Sequence, residues 1–155
     1  MGTCARKVWD DAVEERGRST ATRPAVTTGH LLLGVLKEDA CAGGLILGRM
    51  QLDMKVAYST TQFVLVYGRK APADAPTFDC GGVPHTGAAK TALDYAYDEA
   101  EHFSATYPIG TEHLLLGLLR VPNSIGYRVL NHFGIDEARA RAGRDELWDV
   151  LKTVE

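Results

Sequence analysis

Ala5, Val8, Trp9, Ala12 and Val13 stand at i, i+3, i+4, i+7 and i+8, with Asp10, Asp11, Glu14 and Glu15 between them. An apolar stripe of that period, backed by charge, predicts an amphipathic helix near the start of the chain. Leu31, Leu32, Val35 and Leu36 carry a second stripe, in a helix that Thr27 or Thr28 can cap and that runs to about Glu38. A third short helix is predicted over about 42–50. Asp53 can cap a fourth that ends near Gly68, although Val56, Val64 and Val66 lower its intrinsic propensity. The same plan returns over about 87–104, 111–120, 123–132 and 136–152, with Asp136 as the last cap. Gly143 lies inside that final helix, where glycine costs roughly 1 kcal/mol relative to alanine, so a kink or break is expected there. No stretch alternates convincingly with period two, and no strand is predicted.

The recurrence is also literal. Thr28-Gly29-His30-Leu31-Leu32-Leu33-Gly34 returns as Thr111-Glu112-His113-Leu114-Leu115-Leu116-Gly117, 83 positions later. The segment Gly34 to Lys37 parallels Gly117 to Arg120, and Met50-Gln51-Leu52-Asp53 parallels Phe133-Gly134-Ile135-Asp136 at the same offset. Upstream, Ala5 through Glu15 parallels Ala89 through Glu99 at offset 84. Repetition at a fixed period points to one structural unit used twice. The expected architecture is all-α: two pseudo-symmetric four-helix repeats, over about 3–67 and 87–152. They are joined by a linker over about 68–86 that contains Gly68, Pro72, Pro76, Gly81, Gly82 and Pro84.

A chain of 155 residues with 45% apolar content can bury one good core, or two small cores packed together. No apolar run reaches the roughly 20 residues of a membrane span, and the N-terminus has neither the apolar centre of a signal peptide nor a myristoylation signal. A cytoplasmic location is expected. Cys4, Cys41 and Cys80 are odd in number and show no CxxC spacing, so buried or idle thiols are expected. The net charge of −3 is unevenly spread. Residues 1–70 hold 10 Lys/Arg against 7 Asp/Glu, and residues 71–155 hold 7 against 13. An acidic second half suits cationic segments of a protein partner better than a phosphate backbone.

The motif string is more specific than its periodicity. Gly110-Thr111-Glu112-His113-Leu114-Leu115-Leu116-Gly117-Leu118-Leu119-Arg120, its copy in the first half, and the Val-Leu-Asn-x-x-Gly-Ile run of Val129–Ile135 closely resemble the Clp N-terminal domain. That domain is the double helical repeat preceding the ATPase modules of ClpA- and ClpC-type unfoldases, and the resemblance covers about residues 4–152. It implies an all-α fold of two four-helix repeats. It also implies a role in receiving substrates and adaptors for a AAA+ protein-unfolding and degradation machine. In some members the domain binds phosphoarginine, with the Glu of Gly-Thr-Glu-His contributing to a pocket in each repeat. A carboxylate can grip a guanidinium through paired, charge-assisted hydrogen bonds, while helix N-termini and hydroxyls can hold the phosphate.

Carried over by position, the second repeat keeps Thr86, Thr111, Glu112 and His113 as the candidate binding set. In the first repeat Thr28, Gly29 and His30 are a degenerate equivalent, because Gly29 removes the carboxylate. The bland reading of the same residues is structural: Thr caps the helix, Glu favours its positive end, His packs, and glycine permits a close helix crossing.

Catalysis is not expected. His30, His85, His102, His113 and His132 form no HExxH and no Cys/His set with zinc spacing. Ser19, Ser59, Ser104 and Ser124 sit in no Gly-x-Ser-x-Gly context. There is no phosphate-binding loop for ATP, and no cofactor or metal is expected. Arg139, Arg141 and Arg144 are offset by Asp136, Glu137, Asp145 and Glu146, which argues against nucleic acid.

The expected function is therefore a non-catalytic protein-binding module. Its partners would be Clp ATPase or protease subunits, adaptors or substrate proteins, with phosphoarginine or a peptide as a further ligand. A free-standing protein of this type is favoured over the excised N-domain of a full-length Clp ATPase. A decoy that sequesters small peptide ligands of such domains is the alternative. Tyr58, Tyr67, Phe78 and Tyr107 are candidate surface aromatics.

Overall fold

The computed structural model describes residues 2–18, 25–68, 76–77, 82–103 and 108–154. Eight helices carry the fold: α1 (Thr3–Gly17), α2 (Thr28–Lys37), α3 (Ala42–Arg49), α4 (Met54–Tyr67), α5 (Gly87–Phe103), α6 (Thr111–Leu119), α7 (Ile125–His132) and α8 (Glu137–Val154). The all-α architecture predicted from periodicity is thus the observed one. Among the described residues no helix is long and apolar enough to cross a membrane.

Local chemistry explains the helix starts. The Asp53 carboxylate accepts from the Lys55 and Val56 amides at the head of α4, and Asp136 accepts from the Arg139 amide at 2.8 Å. Ser124 caps α7 through the Tyr127 amide. The β-branched valines of α4 do not prevent its helix, because Ala57 and Thr61 are buried and Val64 and Leu65 pack on the core.

Packing is exchanged between the repeats. Within each, α1 lies on α2 and α5 on α6, but α3 packs chiefly on α6 and α8 of the second repeat, while α7 packs on α2 and α4 of the first. A single hydrophobic cluster results, running from Ala5 and Val8 through Leu31, Leu47 and Leu115 to Ile135. Gly34 and Gly117 sit where the paired helices cross. A Cβ on Gly34 would stand 2.5 Å from the Val8 carbonyl oxygen, and one on Gly117 would collide with that of Ala92.

Three expectations are corrected. No break occurs at Gly143. Helix α8 runs unbroken through it, and the glycine is buried where α8 approaches Ile46 of α3, 2.9 Å from the site of a Cβ. The stretch read as featureless linker contains a two-stranded antiparallel ribbon, β1 (Pro76–Thr77) with β2 (His85–Thr86), and Val26 bridges to His85 alongside it. Strands of two residues are too short to show a period. Finally, Cys4 and Cys41 are not idle thiols. They form a disulfide, with Cα atoms 6.2 Å apart across 37 residues of sequence. The spacing gave no sign of this, because the pairing depends on how α1 and α3 meet in space. Cys80, Phe78 and Tyr107 lie outside the described residues.

Candidate functional site

The repeated motif shapes both copies identically at the backbone. Thr27 is the N-cap of α2 and Gly110 the N-cap of α6, so Thr28 and Thr111 are the first helical residues rather than the caps. At the third helical position the histidine turns back. His30 Nδ1 accepts the Thr27 amide at 3.0 Å, and His113 Nδ1 accepts the Gly110 amide at 2.9 Å. Imidazole here takes the place of the Glu or Gln of an ordinary capping box. His113 is fully buried, and burial lowers its pKa, which keeps the ring neutral and able to accept.

The freed threonine hydroxyls bridge the repeats. Thr111 Oγ1 accepts the Gly43 amide of α3 at 2.7 Å, and Thr28 Oγ1 accepts the Gly126 amide of α7 at 3.0 Å. Each hydroxyl thus satisfies an orphan amide in the first turn of the other repeat's third helix. Thr86, also buried, accepts the Ala89 amide and starts α5.

Glu112 behaves differently. Its carboxylate folds over the Cα of Gly110, in space that a side chain on Gly110 would fill, and the residue is only 3% exposed. His113 Nδ1 lies 3.6 Å away, but that nitrogen is already the acceptor of the Gly110 amide and carries no proton for the carboxylate. Among the described residues no group donates a hydrogen bond to Glu112.

The carboxylate borders an open groove of about 550 Å³ formed where the starts of α1, α3 and α6 meet the end of α8. Thr3, Cys4, Ala42, Leu45, Pro108, Ile109, Leu147, Trp148, Leu151 and Val154 line it, and among the described residues Glu112 is its only ionisable side chain. Leu45 and Val154 are 45% and 79% exposed, so the apolar rim faces solvent. Of the residues expected to form a site, Thr111 and Glu112 reach this groove, whereas Thr86 and His113 are not part of its lining. Sequence reading missed the α8 wall. Its signal was the apolar set Leu147, Trp148, Leu151 and Val154, which continues past the core-facing Ala140 and Gly143.

The equivalent place in the first repeat is filled. A Cβ on Gly29 would lie 2.8 Å from both Ile125 Cγ2 and Leu65 Cδ2. The missing carboxylate is replaced by packed hydrocarbon.

A second cluster centres on Glu99 of α5, which is 6% exposed. Arg141 grips both carboxylate oxygens at 2.9 and 2.5 Å, Arg120 donates to one at 3.0 Å, and Arg144 stands 3.6 Å away. The Arg141 hydrogen bonds outweigh burial and hold the Glu99 carboxyl below its usual range. Glu15, its counterpart 84 positions earlier, instead accepts from the Tyr58 hydroxyl at 2.5 Å and from Arg18. Burial and the neighbouring Glu15 push the Tyr58 hydroxyl up to about 12. Both glutamates tie the fourth helix of their repeat to the first. Among the described residues no group of His, Cys, Asp and Glu is placed to hold a metal ion.

The structure is thus a double-repeat helical domain with a surface groove and a carboxylate at the groove's edge. Residues 84–155 match the family described as the Clp repeat N-terminal domain. Over those residues, which span the second repeat, the chain carries the Clp repeat of this N-terminal domain family. It is 29% identical over 116 residues to the chaperone protein ClpB of Oceanobacillus iheyensis, across 75% of this chain and 13% of that protein. A protein of Mycobacterium tuberculosis is 33% identical over 122 residues, across 79% of this chain and 44% of the relative. The chloroplastic ClpA homolog of Brassica napus, an ATP-dependent Clp protease ATP-binding subunit, is 32% identical over 116 residues, 75% of this chain and 12% of its own length. This chain therefore spans less than half the length of these relatives. Its fold is that of the N-terminal domain of the chaperone ClpD from Arabidopsis thaliana, with a TM-score of 0.73 over 96% of this chain and 94% of that one, at 19% identity.

Proposed function

We propose that this protein is a non-catalytic docking module of the Clp protein-degradation system that holds a segment of an adaptor, a tagged substrate or a Clp subunit. One observation carries the reading: an open, almost wholly apolar groove with a single, nearly buried carboxylate. Apolar walls supply affinity through area removed from water, and one fixed charge selects the residue that enters beside it. Glu112 calls for a cation, and a planar guanidinium is the best match for a carboxylate that no other described residue supplies with a hydrogen bond.

Phosphoarginine is the finer form of the proposal. The geometry favours its guanidinium half. Among the described residues the groove is lined by no Lys or Arg for the phosphate, and the Thr111 hydroxyl and Gly110 amide at the head of α6 already serve other partners. A decoy role toward compact apolar peptides draws on the same groove.

Calorimetry with phosphoarginine and with an arginine-bearing apolar peptide tests the reading. One site per chain is expected for the peptide, weakened roughly tenfold or more in Glu112→Gln, the size of one charge-assisted pair. If neither ligand binds wild type, or if Glu112→Gln binds as well as wild type, the assignment of Glu112 fails. The broader role predicts that adding the protein changes the rate at which a Clp unfoldase–protease degrades an adaptor-dependent substrate.

A further inference from the structure

The Cys4–Cys41 bond lies in the wall of the proposed groove, and on that reading of the groove the next step rests. Cys4 is in the first turn of α1 and lines the groove directly, while Cys41 is the N-cap of α3, next to Ala42 and about one turn before Leu45, both of which line the groove. Both cysteines are partly exposed. Helices α1 and α3 have almost no other contact with each other. Each end is also hydrogen-bonded to the segment that begins α6: the Gly2 amide donates to the Ile109 carbonyl at 2.9 Å, and the Gly43 amide to the Thr111 hydroxyl. The disulfide is the covalent tie between two walls that packing leaves separate.

Its position is also selective. The repeat offsets carry Cys4 to Ala88 and Cys41 to Ser124, whose hydroxyl donates to the Val121 carbonyl. On that pseudo-symmetric side there is no cysteine pair, and Leu65 and Ile125 fill the space beside Gly29. The bond and the open groove occur together, at one of two equivalent places. A staple needed only for the stability of the fold would serve as well at either.

We propose that the Cys4–Cys41 disulfide is a redox-sensitive latch that holds the groove in its binding shape. With the bond closed, the first turn of α1 is fixed against the start of α3, and a ligand meets a preformed wall. With it open, that turn is free to fray, and part of the binding free energy is spent on ordering it again. Opening is thiol–disulfide exchange with a dithiol. A reductant thiolate attacks Cys4 Sγ and forms a mixed disulfide as the Cys4–Cys41 bond breaks. The electron pair leaves on Cys41 Sγ, at the N-terminus of α3, where the helix favours a thiolate. The reductant's second thiol then releases Cys4. The dithiol is oxidised to a disulfide, and the protein gains two electrons and two protons. A small-molecule disulfide reverses the steps. In a reducing compartment such a pair reports oxidation, whereas in an oxidising one it stays shut.

The test uses the full chain and the neutral apolar dye Nile red as the probe. Alkylation and mass measurement without reductant should label one cysteine, Cys80, and three after dithiothreitol. Dye affinity should fall roughly fivefold on reduction, the cost of ordering about one more flexible side chain on binding. The double variant Cys4→Ser, Cys41→Ser should bind like the reduced protein and ignore dithiothreitol, with circular dichroism showing that it remains helical. Three free thiols without reductant overturn the latch, as does equal affinity in the two redox states. Leu151→Asp separates the failures. If it abolishes dye binding that reduction leaves unchanged, the groove stands and the latch alone falls. If the dye binds neither state, or binds in spite of Leu151→Asp, the groove reading itself is lost and the latch with it.

Discussion

Thr28 and Thr111 show how one residue can serve a symmetry rather than a site. Each begins its helix one position after the cap, and that single step aims the hydroxyl across the repeat boundary at the amide of Gly126 or Gly43. Thr111→Val keeps the shape and removes the acceptor, leaving a buried amide without its bond. The expected loss is about 1–2 kcal/mol in chemical denaturation, since an unsatisfied buried amide costs about that much. An unchanged denaturation midpoint would show that the amide finds another acceptor. The histidines were the harder residues to read. A His two positions after Thr suggested chemistry or packing, and only the turn of its ring toward the preceding amide shows it closing a capping box. Glu112 was visible in the motif. That it stands in an apolar groove was not, because its neighbours there come from three other helices distant in sequence.

At the scale of elements, α8 is held to its neighbours partly by charge. Its inner half is fastened to α5 through Arg141 and Arg144 on Glu99, with Arg120, just past the end of α6, joining and lying 4.0 Å over the Tyr95 ring. Because these guanidiniums lower the Glu99 carboxyl in the folded state, its contribution is complete above the ordinary glutamate value of 4.5 and is lost as pH falls through the lower folded one. Glu99→Gln should therefore cost roughly 1–3 kcal/mol at neutral pH, a figure reduced by the partial exposure of the arginines. The cost should shrink in acid. Thermal unfolding of both proteins at neutral pH and below 4.5 checks it; a pH-independent difference would mean that packing, not charge, is what Glu99 supplies. The sequence carried a hint of this hub in the alignment of Glu15 with Glu99. It could not say which partners converge, because Tyr58 stands in the first repeat at the position of Arg141 in the second.

At the scale of the molecule, the exchange of α3 and α7 makes the two repeats one folding unit. Neither half can bury its third helix alone: Gly43 needs Thr111, and Gly126 needs Thr28. Residues 1–75 and 76–155 produced separately should each show little helix by circular dichroism, and mixing them should restore the helical signal. A half that melts cooperatively by itself would show that the exchanged packing is dispensable. Asymmetry is laid over this shared core. The first repeat closes the space beside Gly29 with hydrocarbon, while the second leaves a groove beside Glu112 and places a disulfide in its wall.

The sequence by itself determined the helical class, the duplication and the ends of most helices, because these follow from local period and from caps within a few residues. It also determined which repeat retains a carboxylate. Tertiary structure alone decided that the helices are traded between repeats, that Cys4 meets Cys41, that Gly143 lets α8 approach α3, and that a groove opens beside Glu112 while hydrocarbon fills the space beside Gly29. Those outcomes depend on contacts between residues tens of positions apart, and a one-dimensional pattern records the period of each face but not the face it meets.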